Sequence, residues 1–207
     1  LTVHELIGEV AGEEGAFHAI ADARRRFLAP GARSIPARSR SLVAPCEYPD
    51  DDYCASLPDG LLGGAAGQAH ALRLPGLPRR CLLAPAQTFE VLDFEAAAPE
   101  ALQRSQLLFV AERSGKLCGL AVHVDLTMLA HGALVEPEAE GQIIDVSSAW
   151  EGSHWRNVLL LFERQVSIDA GQRVRVHATC DIGGPQPRYT LEASVEVASP
   201  DEGGGAT

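Results

Sequence analysis

From residue 80 to residue 197 the sequence shows one short strand pattern after another, and this succession most constrains the fold. Apolar and polar residues alternate from Arg173 to Ala178, as in a half-buried strand. Residues 113–115 and 169–171 have the composition of hairpin turns. The predicted strands in this region are 81–83, 88–94, 106–111, 117–126, 142–145, 158–161, 174–181 and 189–197. So many antiparallel strands at short spacing predict a barrel or a sandwich.

The N-terminal stretch has a different pattern. Residues 1–3 are predicted to end a buried strand, and apolar residues recur at helical spacing over about residues 14–28. A strand, loop and helix in this order are typical of a larger α/β unit, since so short a strand cannot form a parallel sheet alone. We therefore predict a mainly β protein. Residues 1–33 would be the remnant of an α/β domain, and residues 34–198 an antiparallel β-barrel-like domain.

Two segments lack a clear pattern. Residues 47–79 could form a long loop, a short helical arm or an insertion. The three consecutive aspartates at 50–52 are expected to form a solvated turn without a catalytic role. Residues 199–207 are rich in glycine and are expected to be a disordered tail.

Composition narrows the classes of partner. The 207 residues have a formal charge of −11, which argues against nucleic acid and favours a cationic partner. The longest apolar runs are shorter than a membrane helix needs, and no signal peptide is recognisable, so we expect a cytoplasmic protein without a membrane partner. The five cysteines are scattered without a CxxC pair, which predicts reduced thiols and no metal site.

The carboxylates of Glu5 and Glu14 are the strongest indication of function. They lie nine residues apart on one loop, where they could hold a planar cation from two sides. A guanidinium group presents its donors in a fixed fork that matches the geometry of carboxylates. The alternative is an acidic helix N-terminus, where glutamate is favoured by the helix dipole.

Three motifs then support a family resemblance. The opening HELIGEVAGEE places Glu5, Gly8 and Glu14 in the spacing S-E-x-M-G-x-x-L-x-x-E, and residues 22–45 look like a helix followed by the turn L-x-P-x-G-x-x-x-P. The triplet at 153–155, Ser-His-Trp, is similar to a T-H-W loop. Because these motifs occur in the same order in the protein arginine methyltransferases, the chain resembles that family over most of residues 1–197.

The resemblance implies a role for each of these residues. Glu5 and Glu14 would be the catalytic pair that binds the substrate guanidinium, with Glu13 as an alternative second carboxylate. His154 and Trp155 would belong to the loop that closes over the substrate, although both residues could instead be packing residues of the barrel. The substrate would be an arginine-containing protein or peptide. A small guanidino or amino metabolite, a non-catalytic module that binds basic peptides, and an unrelated β-sandwich are the alternatives.

The resemblance also implies S-adenosylmethionine as cofactor. In the family, a Gly-rich loop after the first strand binds it, and no G-x-G-x-x-G motif occurs in this sequence. The cofactor site is therefore expected upstream of residue 1, and the chain alone is expected to be an inactive C-terminal portion. Residues 47–79 correspond to an arm that the family uses for dimerisation, which would allow a homodimer.

Overall fold

The computed structural model of the chain describes residues 1–57, 71–96, 100–128, 146–150, 153–184 and 186–196. Two α-helices lie in these ranges, α1 (Ala16–Arg26) and α2 (Asp51–Ser56), together with a 3-10 turn at Arg79–Cys81. The strands are β1 (Thr2–Val3), β2 (Ser34–Ile35), β3 (Arg38–Cys46), β4 (Ala71–Pro75), β5 (Gln87–Asp93), β6 (Leu102–Val110), β7 (Gly115–Thr127), β8 (Val146–Ser147), β9 (Arg156–Ile168), β10 (Arg173–Asp181) and β11 (Arg188–Val195).

Antiparallel pairing dominates the described strands. One sheet has the order β4-β9-β7-β3-β5, with β8 added along β7, and a second has the order β11-β10-β6. A small parallel pair joins β1 to β2. The predicted mainly β, antiparallel barrel-like fold is thus confirmed.

The two large sheets share one hydrophobic core. Strand β10 contributes Val174, Val176 and Ala178, which are buried as their alternation predicts. Phe109 of β6 and Leu120 of β7 lie in the same cluster, so residues of both sheets meet there. Burial of this apolar surface from two sides holds the sheets face to face.

The N-terminal stretch packs directly on the barrel. Ile7, Ala11 and Ile20 belong to one cluster with Leu92 of β5 and Val124 of β7. The loop before α1 therefore rests on the β5 and β7 side of the sheet. Helix α1 was predicted over about residues 14–28, and the observed helix is two residues shorter at each end. Both ends of a helical pattern fray into the flanking loops.

Several sequence predictions differ from the structure or lie outside it. The strand predicted at 81–83 is instead the end of the 3-10 turn and the segment after it. Asp50 caps α2 by accepting the amide hydrogen of Tyr53, so the aspartate run begins a helix. Within 47–79, residues 71–75 form β4 at the edge of the sheet. The predicted strand 142–145, the tail 199–207 and residues 58–70 lie outside the described ranges.

Among the helices in the described ranges, none combines the length and the apolar character that crossing a membrane requires.

Candidate active site

An open cavity of about 420 Å³ lies where the loop before α1 meets strands β4 and β9. We call residues 4–15 the acidic loop. The cavity is lined by Glu5, Ile7, Gly8, Glu9, Glu13, Glu14, Arg73, His154, Trp155 and Arg156. The structure thus brings together all five residues that the sequence singled out for the site.

Glu5 and His154 face each other across the cavity mouth. The Glu5 Oε1 and His154 Nε2 atoms are 3.9 Å apart, and the two side chains are 74% and 76% exposed. A contact so open to water contributes little stability, which leaves both groups free to engage a ligand. The His154 ring lies 4.9 Å from the Trp155 ring, and Trp155 packs against the hydrophobic cluster beneath the loop. Trp155 therefore anchors the segment that presents His154.

The Glu13 side chain is hydrogen-bonded within the acidic loop, whereas Glu14 is exposed. Glu13 Oε1 accepts the amide hydrogen of Glu9 at 2.8 Å, and burial raises the pKa of Glu13. A Cβ atom on Gly8 would lie 2.1 Å from Cγ of Glu13, so this loop geometry requires glycine at position 8. Because Glu13 is already bonded within the loop, Glu14 is the better placed of the two to receive a ligand.

His4 starts the acidic loop as a packing residue. Its ring meets Phe94 edge-on with centroids 4.5 Å apart, and burial lowers the pKa of His4. A neutral imidazole therefore packs on the segment after β5 and fixes the backbone just before Glu5.

Two arginines also line the cavity. Arg73 of β4 forms an ion pair with Glu9 and thereby neutralises one of the four cavity carboxylates. Arg156 lies opposite Pro75 in the β4–β9 ladder, on the same face as Arg73. The sequence did not identify either arginine, since β4 lies in the poorly patterned region and a lone arginine at a strand start has no distinguishing spacing.

A buried carboxylate lies under the acidic loop. Glu90 of β5 is fully buried and accepts hydrogen bonds from the hydroxyls of Ser41 (2.5 Å) and Tyr189 (2.8 Å). The Gly12 backbone lies against the same carboxylate. Burial raises the pKa of Glu90. The alternation of β5 predicts Glu90 on the outer face, but the β3–β5 register shifts between Ser41 and Leu42 and turns it inward.

The raised pKa of Glu90 makes folding stability depend on pH. A carboxyl group that titrates higher in the folded state binds its proton more tightly there than in the unfolded chain. Its contribution to stability is therefore complete at low pH and is lost as the pH rises through the folded-state pKa. We expect wild type to lose stability relative to Glu90→Gln as the pH rises above the ordinary carboxyl range, as measured by urea unfolding. A pH-independent difference between the two proteins would contradict this.

The described residues provide neither a metal site nor the loop that the resemblance implies for the cofactor. In the described part of the chain no group of three or more His, Cys, Asp or Glu side chains could hold a metal ion. The G-x-G-x-x-G turn that the resemblance implies for S-adenosylmethionine does not occur in the loop between β1 and α1, which instead lines the cavity with four glutamates. The described residues therefore do not fit that cofactor, and its site is not assigned to them.

No protein-family model matches the sequence, and no curated protein matches it significantly. A solved structure does match: the PRMT1 enzyme–prozyme heterotetrameric complex of Trypanosoma brucei with AdoHcy. The TM-score is 0.68 and the identity 16%, and the match covers 95% of this chain. The chain spans 63% of the length of that relative. The chain therefore has a protein arginine methyltransferase-like fold.

Proposed function

We propose that the cavity holds the guanidinium group of an arginine in a protein or peptide, for methyl transfer from S-adenosylmethionine. The observation that supports this most is that Glu5 and Glu14 line one cavity together with His154. Two carboxylates on one cavity match the fork of donors on a guanidinium. The net charge of −11 adds long-range attraction for a basic segment.

The carboxylates would act on the substrate in two ways. A guanidinium is a poor nucleophile because its charge is delocalised and its pKa lies above about 12. Glu5 and Glu14 would draw the positive charge toward two of the nitrogens and hold the third at a fixed angle for attack. Fixing the geometry of reacting groups lowers a barrier substantially. The proton that the reacting nitrogen loses could pass to Glu5, with His154 3.9 Å away as the next acceptor.

S-adenosylmethionine would supply the methyl group, and we propose that residues outside this chain bind it. Residues 1–33 would then be the end of the cofactor-binding domain, and residues 34–198 the substrate-binding barrel. A homodimer that uses an arm within residues 47–79 fits the same scheme. The Trypanosoma brucei complex is a heterotetramer, which supports the assembly of this chain with other chains but does not identify them.

A small guanidino acid is a second candidate substrate. Arg156 lines the cavity together with the glutamates, and it could pair with a carboxylate on the ligand. A free amino acid such as arginine has both groups, whereas an internal arginine of a peptide lacks the carboxylate. Competition between free arginine and a capped arginine peptide separates the two candidates.

Calorimetric titration tests the proposal. The 207-residue chain is titrated with three capped pentapeptides that have arginine, citrulline or lysine between glycines. Arginine should bind about tenfold more tightly than citrulline, which has the same shape without charge, and more tightly than lysine, which cannot form a bidentate pair. Equal affinity for all three peptides would contradict a guanidinium site. In a second experiment, an S-adenosylmethionine-binding domain is joined to the chain. Peptide binding without methyl transfer would then favour a non-catalytic module that binds basic peptides.

A further inference from the structure

Glu90, Ser41 and Tyr189 form a buried polar cluster that touches the acidic loop from below; we call it the Glu90 cluster. Its members come from three strands, β5, β3 and β11. The Ser41 hydroxyl donates to Glu90 and also accepts the amide hydrogen of Ala11 at 2.9 Å. The cluster therefore receives the amide of Ala11 and contacts the backbone of the next loop residue, Gly12.

Close packing confirms that the loop backbone lies directly against the cluster. A Cβ atom on Gly12 would lie 2.6 Å from Glu90 Oε1 and 2.6 Å from the Tyr189 hydroxyl. Both of these atoms are held by their mutual hydrogen bond, so neither can move away without breaking it. Only glycine allows the backbone to approach this closely.

A carboxylate in this position is costly for folding. Taking an ionisable group out of water requires compensation by hydrogen bonds, and an apolar residue of similar volume is often as stable or more so. Two hydroxyls donate hydrogen bonds to Glu90. What the carboxylate provides that a leucine could not is a fixed acceptor for the loop immediately before Glu13 and Glu14.

We propose that Glu90, Ser41 and Tyr189 are positioning residues that hold the acidic loop so that Glu14 faces the cavity. This rests on the proposed function, in that the loop is taken to bind a guanidinium. The cluster does not touch the ligand. It acts through Ala11 and Gly12, which directly precede Glu13 and Glu14.

The chain offers a matched pair of variants. Ser41→Ala removes the hydroxyl that joins Ala11 to Glu90, and Ser39→Ala removes an equally buried hydroxyl two residues earlier on β3. The Ser39 hydroxyl has no hydrogen-bond partner within the described ranges. Tyr189→Phe is a second test variant, at the edge of the other sheet, in case Ser41→Ala does not fold.

Amide hydrogen exchange and peptide binding are measured on the same samples. In Ser41→Ala, exchange at Ala11 and Gly12 should become about tenfold faster and the Kd of the arginine peptide should rise by a similar factor. Ser39→Ala should leave both quantities unchanged. Equal effects of the two serine variants, or unchanged exchange at Ala11 and Gly12 in Ser41→Ala, would overturn the proposal. If exchange responds as expected but the wild type binds no peptide, the anchoring role stands and the proposed function fails.

Discussion

Replacing Glu5 or Glu14 by glutamine should weaken the binding of an arginine peptide to this chain by about 10- to 100-fold. Each change removes one charge-assisted contact to the guanidinium, worth about 1.5–3 kcal/mol, while the side-chain shape stays nearly the same. Both side chains are exposed in the cavity mouth, so neither change should reduce folding stability appreciably. Calorimetry gives the Kd, and thermal unfolding gives the stability of the same preparations.

Asp52→Asn is the matched control for these two variants. Asp52 is an exposed acid in the first turn of α2 and does not line the cavity. The Asp52→Asn substitution changes the net charge by the same amount as each glutamate variant. If peptide binding depended only on long-range attraction, all three variants would weaken it equally. An equal loss in Asp52→Asn would show that total charge, and not the pair of glutamates, governs peptide binding.

Gly119→Ala should destabilise the protein by about 3 kcal/mol, because strand β9 passes too close to accept a side chain. A Cβ atom at position 119 would lie 2.1 Å from the backbone oxygen of Leu160. The β7–β9 register shifts between Leu117 and Gly119, so the close approach belongs to a bulge. The clashing atom belongs to the backbone of a central strand pair and cannot rotate away. Urea unfolding measures the loss.

Gly184→Ala is the control for this effect. A Cβ atom at position 184 would meet no described atom closer than 3.8 Å, which is an ordinary contact distance. Its free energy of unfolding should stay within about 0.5 kcal/mol of the wild type. A similar loss for both glycines would show that the cost comes from the general change of glycine to alanine and not from the β7–β9 contact.

Local patterns predicted the regular parts of the fold well. The alternation of β10 identified its buried face, because that strand has one face on the core and one in water. Helix α1 was predicted from its apolar spacing, because it too has one face on the core and one in water. By contrast, β9 extends to Ile168, well beyond the predicted 158–161, because its residues Glu163–Ser167 are exposed and show no alternation.

Five residues of the cavity lining were singled out from sequence, and the others were not: Glu5, Glu13, Glu14, His154 and Trp155 were named, whereas Glu9, Arg73 and Arg156 were not. Glu5 and Glu14 line one cavity because both lie on one short loop. Arg73 could not be predicted, because it reaches the cavity through the pairing of β4 with β9, a long-range contact. Glu90 was missed because a bulge reverses the faces of β5, burying the glutamate and exposing Val91. A single-sequence pattern does not show where a bulge occurs.

The most direct test of the guanidinium site is NMR of the glutamate carboxyl carbons during a peptide titration. Glutamate labelled with ¹³C is incorporated into the chain, and Glu5 and Glu14 are assigned with their glutamine variants. Our account predicts that the arginine peptide shifts both resonances along one binding curve, and that the citrulline peptide shifts neither. If the arginine peptide binds while the carboxyl resonances of Glu5 and Glu14 stay in place, the cavity is not the arginine site.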